Sequence, residues 1–224
     1  MYTQEIGALG HGDKTHYFQP KKVEFFKENG IKVKQVRAGL YHTVALTDDG
    51  KVYTWGRGLY GVLGNGTNAY SLVPLLNEEI ESLKEEDPDR KIVKIDSADE
   101  YTGVLFSTGE LYVWGKNDRG QLGVGAGIGI DIVESESSPV NISLENKLPI
   151  VDFHTGQNTM IMLDSEGGVH KTGLKLDYTP KKLGKSEDFE DIVAISCGRK
   201  HYVVLNKHNK LLVWGNVLNA KPEQ

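Results

Sequence analysis

The stretch AGLYHTVALTDDGKVYTWG, Ala38 to Gly56, alternates apolar and polar residues, breaks at Asp48-Asp49-Gly50, and alternates again. An Asp-Gly pair between two alternating runs is a strong short-range hairpin signal, because its turn twists the way paired strands do. Val52, Tyr53, Thr54 and Trp55 are β-branched or aromatic, the side chains that suit a half-buried pleated surface. The stretch therefore predicts two paired strands.

The pattern returns along the chain. In the first copy Gly39 is followed by His42, Gly50, Trp55 and Gly56; in the last, Gly198 is followed by His201, Trp214 and Gly215. A second copy, Ser97 to Gly115, ends on Trp114 and Gly115. There Asp99 is read in the glycine place and Thr102 in the histidine place, with one turn residue missing. A third, His154 to Gly173, keeps Gly156 but carries Thr159 for histidine and Thr172 for tryptophan. Glycine-rich pieces follow the first two tryptophans, GLYGVLGNGT (Gly58 to Thr67) and NDRGQLGVG (Asn117 to Gly125). The chain holds 26 glycines without any low-complexity tract, so glycine recurrence is a repeat signal.

A single hairpin unit cannot bury its apolar face, so the units must stack. HTVALTDDGKVYTWGRGLYGVLGNG resembles the repeat of the regulator of chromosome condensation (RCC1) family. WGKNDRGQLGVG (Trp114 to Gly125) and GALGHGD…QPKKV (Gly7 to Val23) are similar to other parts of that repeat. The resemblance implies an all-β fold, a β-propeller of four-stranded blades about a central axis. It also implies that His42 and His201 are buried, hydrogen-bonded repeat residues, and that Trp55, Trp114 and Trp214 pack between blades.

Relatives of this kind have seven blades, and at about 50 residues each these need roughly 350 residues. The present 224 residues accommodate about four units in one repeat domain, 1–224. The units run approximately 33–91, 92–149 and 150–190, with 191–224 joined to 1–32 as a split unit. The expected architecture is an incomplete ring or open arc, or a fragment of a seven-bladed propeller. An open arc leaves strand edges unpaired, a liability that a partner chain would cover.

Composition narrows the function classes. One cysteine, Cys197, excludes an internal disulfide and argues against a cysteine-based zinc site. A net charge of −5 does not favour nucleic acid. No apolar run is long enough for a membrane span, and the first residues lack a secretory pattern, so an intracellular site, cytoplasmic or organellar, is expected. The sequons at Asn65 and Asn141 carry little weight without such a pattern.

No nucleophile elbow, zincin or kinase motif occurs. His11, Asp13 and His16 read as an exposed turn in preference to a metal site, and the glycines from Gly125 lack the lysine of a phosphate loop. No catalytic residue, cofactor or metal is expected. The insert LNEEIESLKEEDPDRK, Leu76 to Lys91, reads foremost as a solvated acidic loop, or else as a short helix ending at Asp87-Pro88. Its Glu78, Glu79, Glu81, Glu85, Glu86, Asp87 and Asp89 form a candidate surface for a basic partner. The leading expectation is a non-enzymatic protein-interaction module or structural subunit that uses propeller loops and open blade edges. The resemblance offers a second, guanine-nucleotide exchange on a Ran-like small GTPase. An enzyme with a site on the axis is the third, and converging carboxylates there would mark it.

Overall fold

The hairpin of the opening stretch is the centre of a four-stranded antiparallel meander: β1 (Val33–Ala38), β2 (His42–Thr47), β3 (Val52–Gly56) and β4 (Ser71–Leu76). The structure, a computed structural model, describes residues 7–87, 89–125, 133–175, 177–184 and 189–215. A short helix, α1 (Glu24–Glu28), precedes the first sheet, and α2 (Glu78–Glu86) follows it. The second sheet is β5 (Ile92–Ser97), β6 (Tyr101–Phe106), β7 (Leu111–Lys116) and β8 (Ser135–Ile142). The third is β9 (Ile150–Thr155), β10 (Thr159–Asp164), β11 (Val169–Gly173) and β12 (Asp177–Lys182). The fourth has three strands among the described residues, β13 (Ile192–Cys197), β14 (His201–Asn206) and β15 (Leu211–Gly215). The sheets follow one another as blades of a partial propeller, with no closed ring.

Register corrects one reading of the repeat. His42 pairs with Gly56, and in the second sheet Tyr101 pairs with Gly115. The backbone N–H of Gly39 donates to His42 O, and that of Ala98 donates to Tyr101 O. Tyr101 and Ala98, not Thr102 and Asp99, therefore hold the histidine and glycine places, and no turn residue is missing. Neither residue type is kept in the second unit; only the backbone pairing is.

The blades interlock through side chains that reach from one sheet to the next. His42 Nε2 lies 2.9 Å from both Thr102 Oγ1 and Ser97 Oγ in the second sheet. The Tyr101 hydroxyl donates to Gly156 O or Thr159 O in the third, at 2.9 and 2.6 Å. Apolar layers fill the space around these bonds. Val44, Leu46 and Val52 pack against Ile92, Ile95, Val104 and Phe106. Leu111, Val113 and Leu122 pack with Phe153, Met160 and Met162. Ile161 and Val169 pack with Ile195, Tyr202 and Val204.

A second device closes the joints of the first three sheets from the outside. The segments after β3 and β7 each return as an x-Leu-Gly turn over the next blade's tryptophan position, and the N-terminal Ala8-Leu9-Gly10 lies the same way over Trp55. Trp55 Nε1 donates to Ala8 O (2.8 Å), Trp114 Nε1 to Val62 O (2.9 Å), and Thr172 Oγ1 to Gln121 O (2.8 Å). Leu63 and Leu122 are fully buried in these turns. Gly64 sits at φ +67°, and a Cβ there would meet the Trp114 ring at 2.7 Å, so the place requires glycine.

The acidic insert is a helix rather than the solvated loop favoured from sequence. The Asn77 side chain accepts from Ile80 N–H at 3.0 Å and caps it, and Ile80 is fully buried against the first two sheets. Ile80, Leu83 packed beside it, the Asn77 cap and the bond from Lys84 to Gly50 O together order a segment that composition alone marks as polar.

Two outcomes are expected. Trp114→Phe strands the buried Val62 carbonyl and should lower unfolding free energy in urea by about 2 kcal/mol. Trp214→Phe, whose indole donates no hydrogen bond among the described residues, should cost clearly less. Burial pushes the His42 imidazole down to about 4, and its Nδ1 has no partner to receive a second proton. The unfolded chain takes up that proton first, so the contribution is intact above pH 6.5 and is lost as pH falls from there to about 4. The loss should approach about 3 kcal/mol and be reduced in His42→Gln, read from urea curves across that range.

Candidate protein-interaction surface

Two regions could carry function, the axial ladder formed by β1, β5, β9 and β13, and the ends of the arc. On the ladder, Arg37 Nε donates to Asp96 Oδ1 at 3.1 Å, while Asp96 Oδ2 accepts from Thr155 N–H and Oγ1 at 2.8 and 3.0 Å. Lys94 Nζ lies 2.6 Å from Asp152 Oδ1 and 2.9 Å from His154 Nε2. Burial, with Lys94 adding to it, holds the His154 imidazole below its ordinary value. Each carboxylate is thus paired with a cation or with backbone and hydroxyl donors, and the groups join neighbouring blades. Among the described residues, no three His, Cys, Asp or Glu side chains are placed to hold a metal ion. Asp13 accepts from the Tyr17 hydroxyl (2.7 Å) and Thr15 N–H (2.9 Å), and His11 packs edge-on against the Tyr17 ring.

The ends are different. At the N-terminal end Phe25, Phe26 and Ile31 cover Tyr53 and Trp55, with Val33 and Val36 of β1 left exposed. At the other end nothing described covers the fourth sheet. Val44, Leu46, Val52 and Thr54 of the first sheet are no more than 1% exposed beneath the second. Their register equivalents in the fourth sheet are Val203, Leu205, Leu211 and Val213, and the last two are 62% and 60% exposed. β15 is also an edge strand with no fourth strand beside it among the described residues.

This placement corrects the expectation for His201. It occupies the same register as His42, opposite Gly215, yet it is exposed. The buried state of such a histidine depends on the following blade, whose hydroxyls His42 has and His201 lacks. Trp214 does face a neighbour: its ring stacks on Tyr202 (centroids 5.2 Å) and meets Phe189 edge-on (5.5 Å).

The acidic residues of the insert differ in exposure and pairing. Glu78, Glu79, Glu85, Glu86 and Asp89 are exposed. Glu81 instead pairs with Lys84 (3.0 Å), which also donates to Gly50 O, and Asp87 accepts from Asp89 N–H. The glycine string from Gly125 and the Pro88 position extend outside the described residues. No sequence signal marked the bare face of the fourth sheet, because its residues read like those of the first.

Comparison with known proteins agrees with this geometry. Family models described as the regulator of chromosome condensation (RCC1) repeat match residues 4–46, 49–105 and 108–163, and, in a second form, 33–62 and 192–219. The chain is 29% identical to the ultraviolet-B receptor UVR8 of Arabidopsis thaliana over 225 residues, covering 96% of this chain and 48% of that protein. It is 28% identical to the E3 ubiquitin-protein ligase HERC2 of Homo sapiens over 222 residues, 94% of this chain but 4% of the ligase. Among solved structures, Prp20p of Saccharomyces cerevisiae superposes with a TM-score of 0.71 at 26% identity, covering 88% of this chain and 48% of that one; its binding to Gsp1p and histones was studied with it. The chain thus spans half or less of each of these relatives. Matched over most of its length by the repeat models, and built of the sheets they imply, this chain belongs to the regulator of chromosome condensation (RCC1) repeat family.

Proposed function

We propose that the chain is a non-enzymatic protein-interaction module whose fourth sheet docks a partner polypeptide. The carrying observation is the bare face and edge of that sheet, Leu211 and Val213 with His201 beside them. The first two sheets show what such a face takes. It takes another sheet with branched apolar side chains, and a hydroxyl for the histidine, as Ser97 and Thr102 serve His42. Covering Leu211 and Val213 would contribute about 1–2 kcal/mol each. A partner strand could also continue the meander beyond β15. The pairing of Asp96 and Asp152 with cations supports the non-enzymatic part of this reading. The exposed Glu78, Glu79, Glu85 and Glu86 on α2 are proposed as a secondary contact for a basic partner.

Nucleotide exchange on a Ran-like GTPase is a second reading, favoured by the likeness to Prp20p. The module reading expects no acceleration of labelled-GDP release from such a GTPase. A saturable acceleration would transfer the assignment to exchange.

The docking reading is tested on the intact chain recovered from its source cell. The outward amides of β15, those not bonded to β14, should exchange rapidly in the free chain and become protected in the recovered assembly. Leu211→Asp with Val213→Asp should release the partner at fixed stoichiometry, seen by native mass spectrometry, with the thermal midpoint nearly unchanged. A free chain with its outward β15 amides already protected would overturn the reading.

A further inference from the structure

The joint between the third and fourth sheets differs from the other joints. The connection after β3 runs through residues 57–70, and that after β7 through 117–134; each carries an x-Leu-Gly turn. After β11 only residues 174–176 separate it from β12, and Leu174 and Lys175 turn back at φ +62° and +60°. The third blade's own Lys182-Leu183-Gly184, with Gly184 at φ +76°, lies at the end of β12 and packs against Phe189. Among the described residues this blade therefore lays no turn over Trp214. In its place is a cavity of about 410 Å³, bounded by Thr159, Lys171, Leu174, Lys200, Tyr202 and Trp214. That volume is within the range of small ligand sites.

From this vacancy we infer a binding site for an x-Leu-Gly turn supplied by another polypeptide. Two joints of this same chain, with Leu63 and Leu122 fully buried in them, show the occupant, and the N-terminal segment over Trp55 repeats its backbone form with Leu9 half exposed. In each, a leucine lies beside a glycine at positive φ (Gly10 +73°, Gly64 +67°, Gly123 +72°). The carbonyl of the residue before the leucine accepts a hydrogen bond from the tryptophan-place side chain, given above for Trp55, Trp114 and Thr172. At the vacant joint the Trp214 indole is retained and stacked on Tyr202, which holds its ring in place. Its Nε1 makes no hydrogen bond among the described residues. A hydrogen-bond donor, an apolar floor and a rim open to solvent are present, and among the described residues no turn lies over them. The incoming leucine would fill the cavity, its glycine would pass close over the indole, and the preceding carbonyl would take the Nε1 proton. The site rests on the reading as an interaction module but faces the third sheet, away from Leu211 and Val213.

The test uses the full chain with 15N-labelled tryptophan, the Trp214 indole resonance being identified as the one lost in Trp214→Phe. The probe is a capped peptide of the chain's own residues 60–67, YGVLGNGT. Millimolar peptide should shift the Trp214 indole saturably and leave those of Trp55 and Trp114 in place. The same peptide with Leu→Asp should not. No shift, or an equal shift with the aspartate peptide, would overturn the proposal. So would an indole proton of Trp214 already protected from exchange in the free chain, since the chain's own residues would then fill the site. Exchange at β15 reads the separate docking reading, so failure of either is distinguishable from failure of the other.

Discussion

Each sheet of this protein keeps part of its polar and apolar needs for the next sheet. His42 is buried only because Ser97 and Thr102 bond it, and Tyr101 only because Gly156 and Thr159 do. A buried polar side chain without such a partner is costly, so a blade is not stable as a bare unit. The arc follows from this constraint. Stacking buries the faces between the first three sheets, while among the described residues the outer face of the fourth keeps exposed aliphatic side chains.

The axial ladder answers a different demand. Its charges sit close to one another where four inner strands converge, and Arg37, Asp96, Lys94, Asp152 and His154 satisfy them pairwise across blades. A position that could have held converging carboxylates instead holds alternating signs. The outer joints use a neutral device, an indole or hydroxyl donor on a carbonyl, which tolerates tryptophan or threonine equally. That tolerance explains how the third unit lost its tryptophan yet kept its joint through Thr172.

Much of the fold was legible. The hairpin at Asp48-Asp49-Gly50, the recurrence of Trp-Gly and the glycine-rich turns are local signals, each tied to twist, propensity or positive φ. The second unit was misaligned because Tyr101 and Ala98 perform the roles of His42 and Gly39 with different chemistry, and side-chain identity was the only guide. The insert after Leu76 was read as a solvated loop because one buried isoleucine among many carboxylates is a weak periodic signal; its burial depends on the neighbouring sheets.

The sequence by itself determined the class of the fold, the unit that repeats and the family to which it belongs, because these rest on patterns within about 60 residues of chain. Only the tertiary structure decided what equivalent residues do. His42 and His201 occupy the same register after the same motif, and one is buried while the other is exposed. Trp114 and Trp214 likewise differ in whether a turn lies over them. The reason is physical: burial and hydrogen bonding in a stacked protein are properties of the joint between two units, and the sequence of one unit does not contain its neighbour.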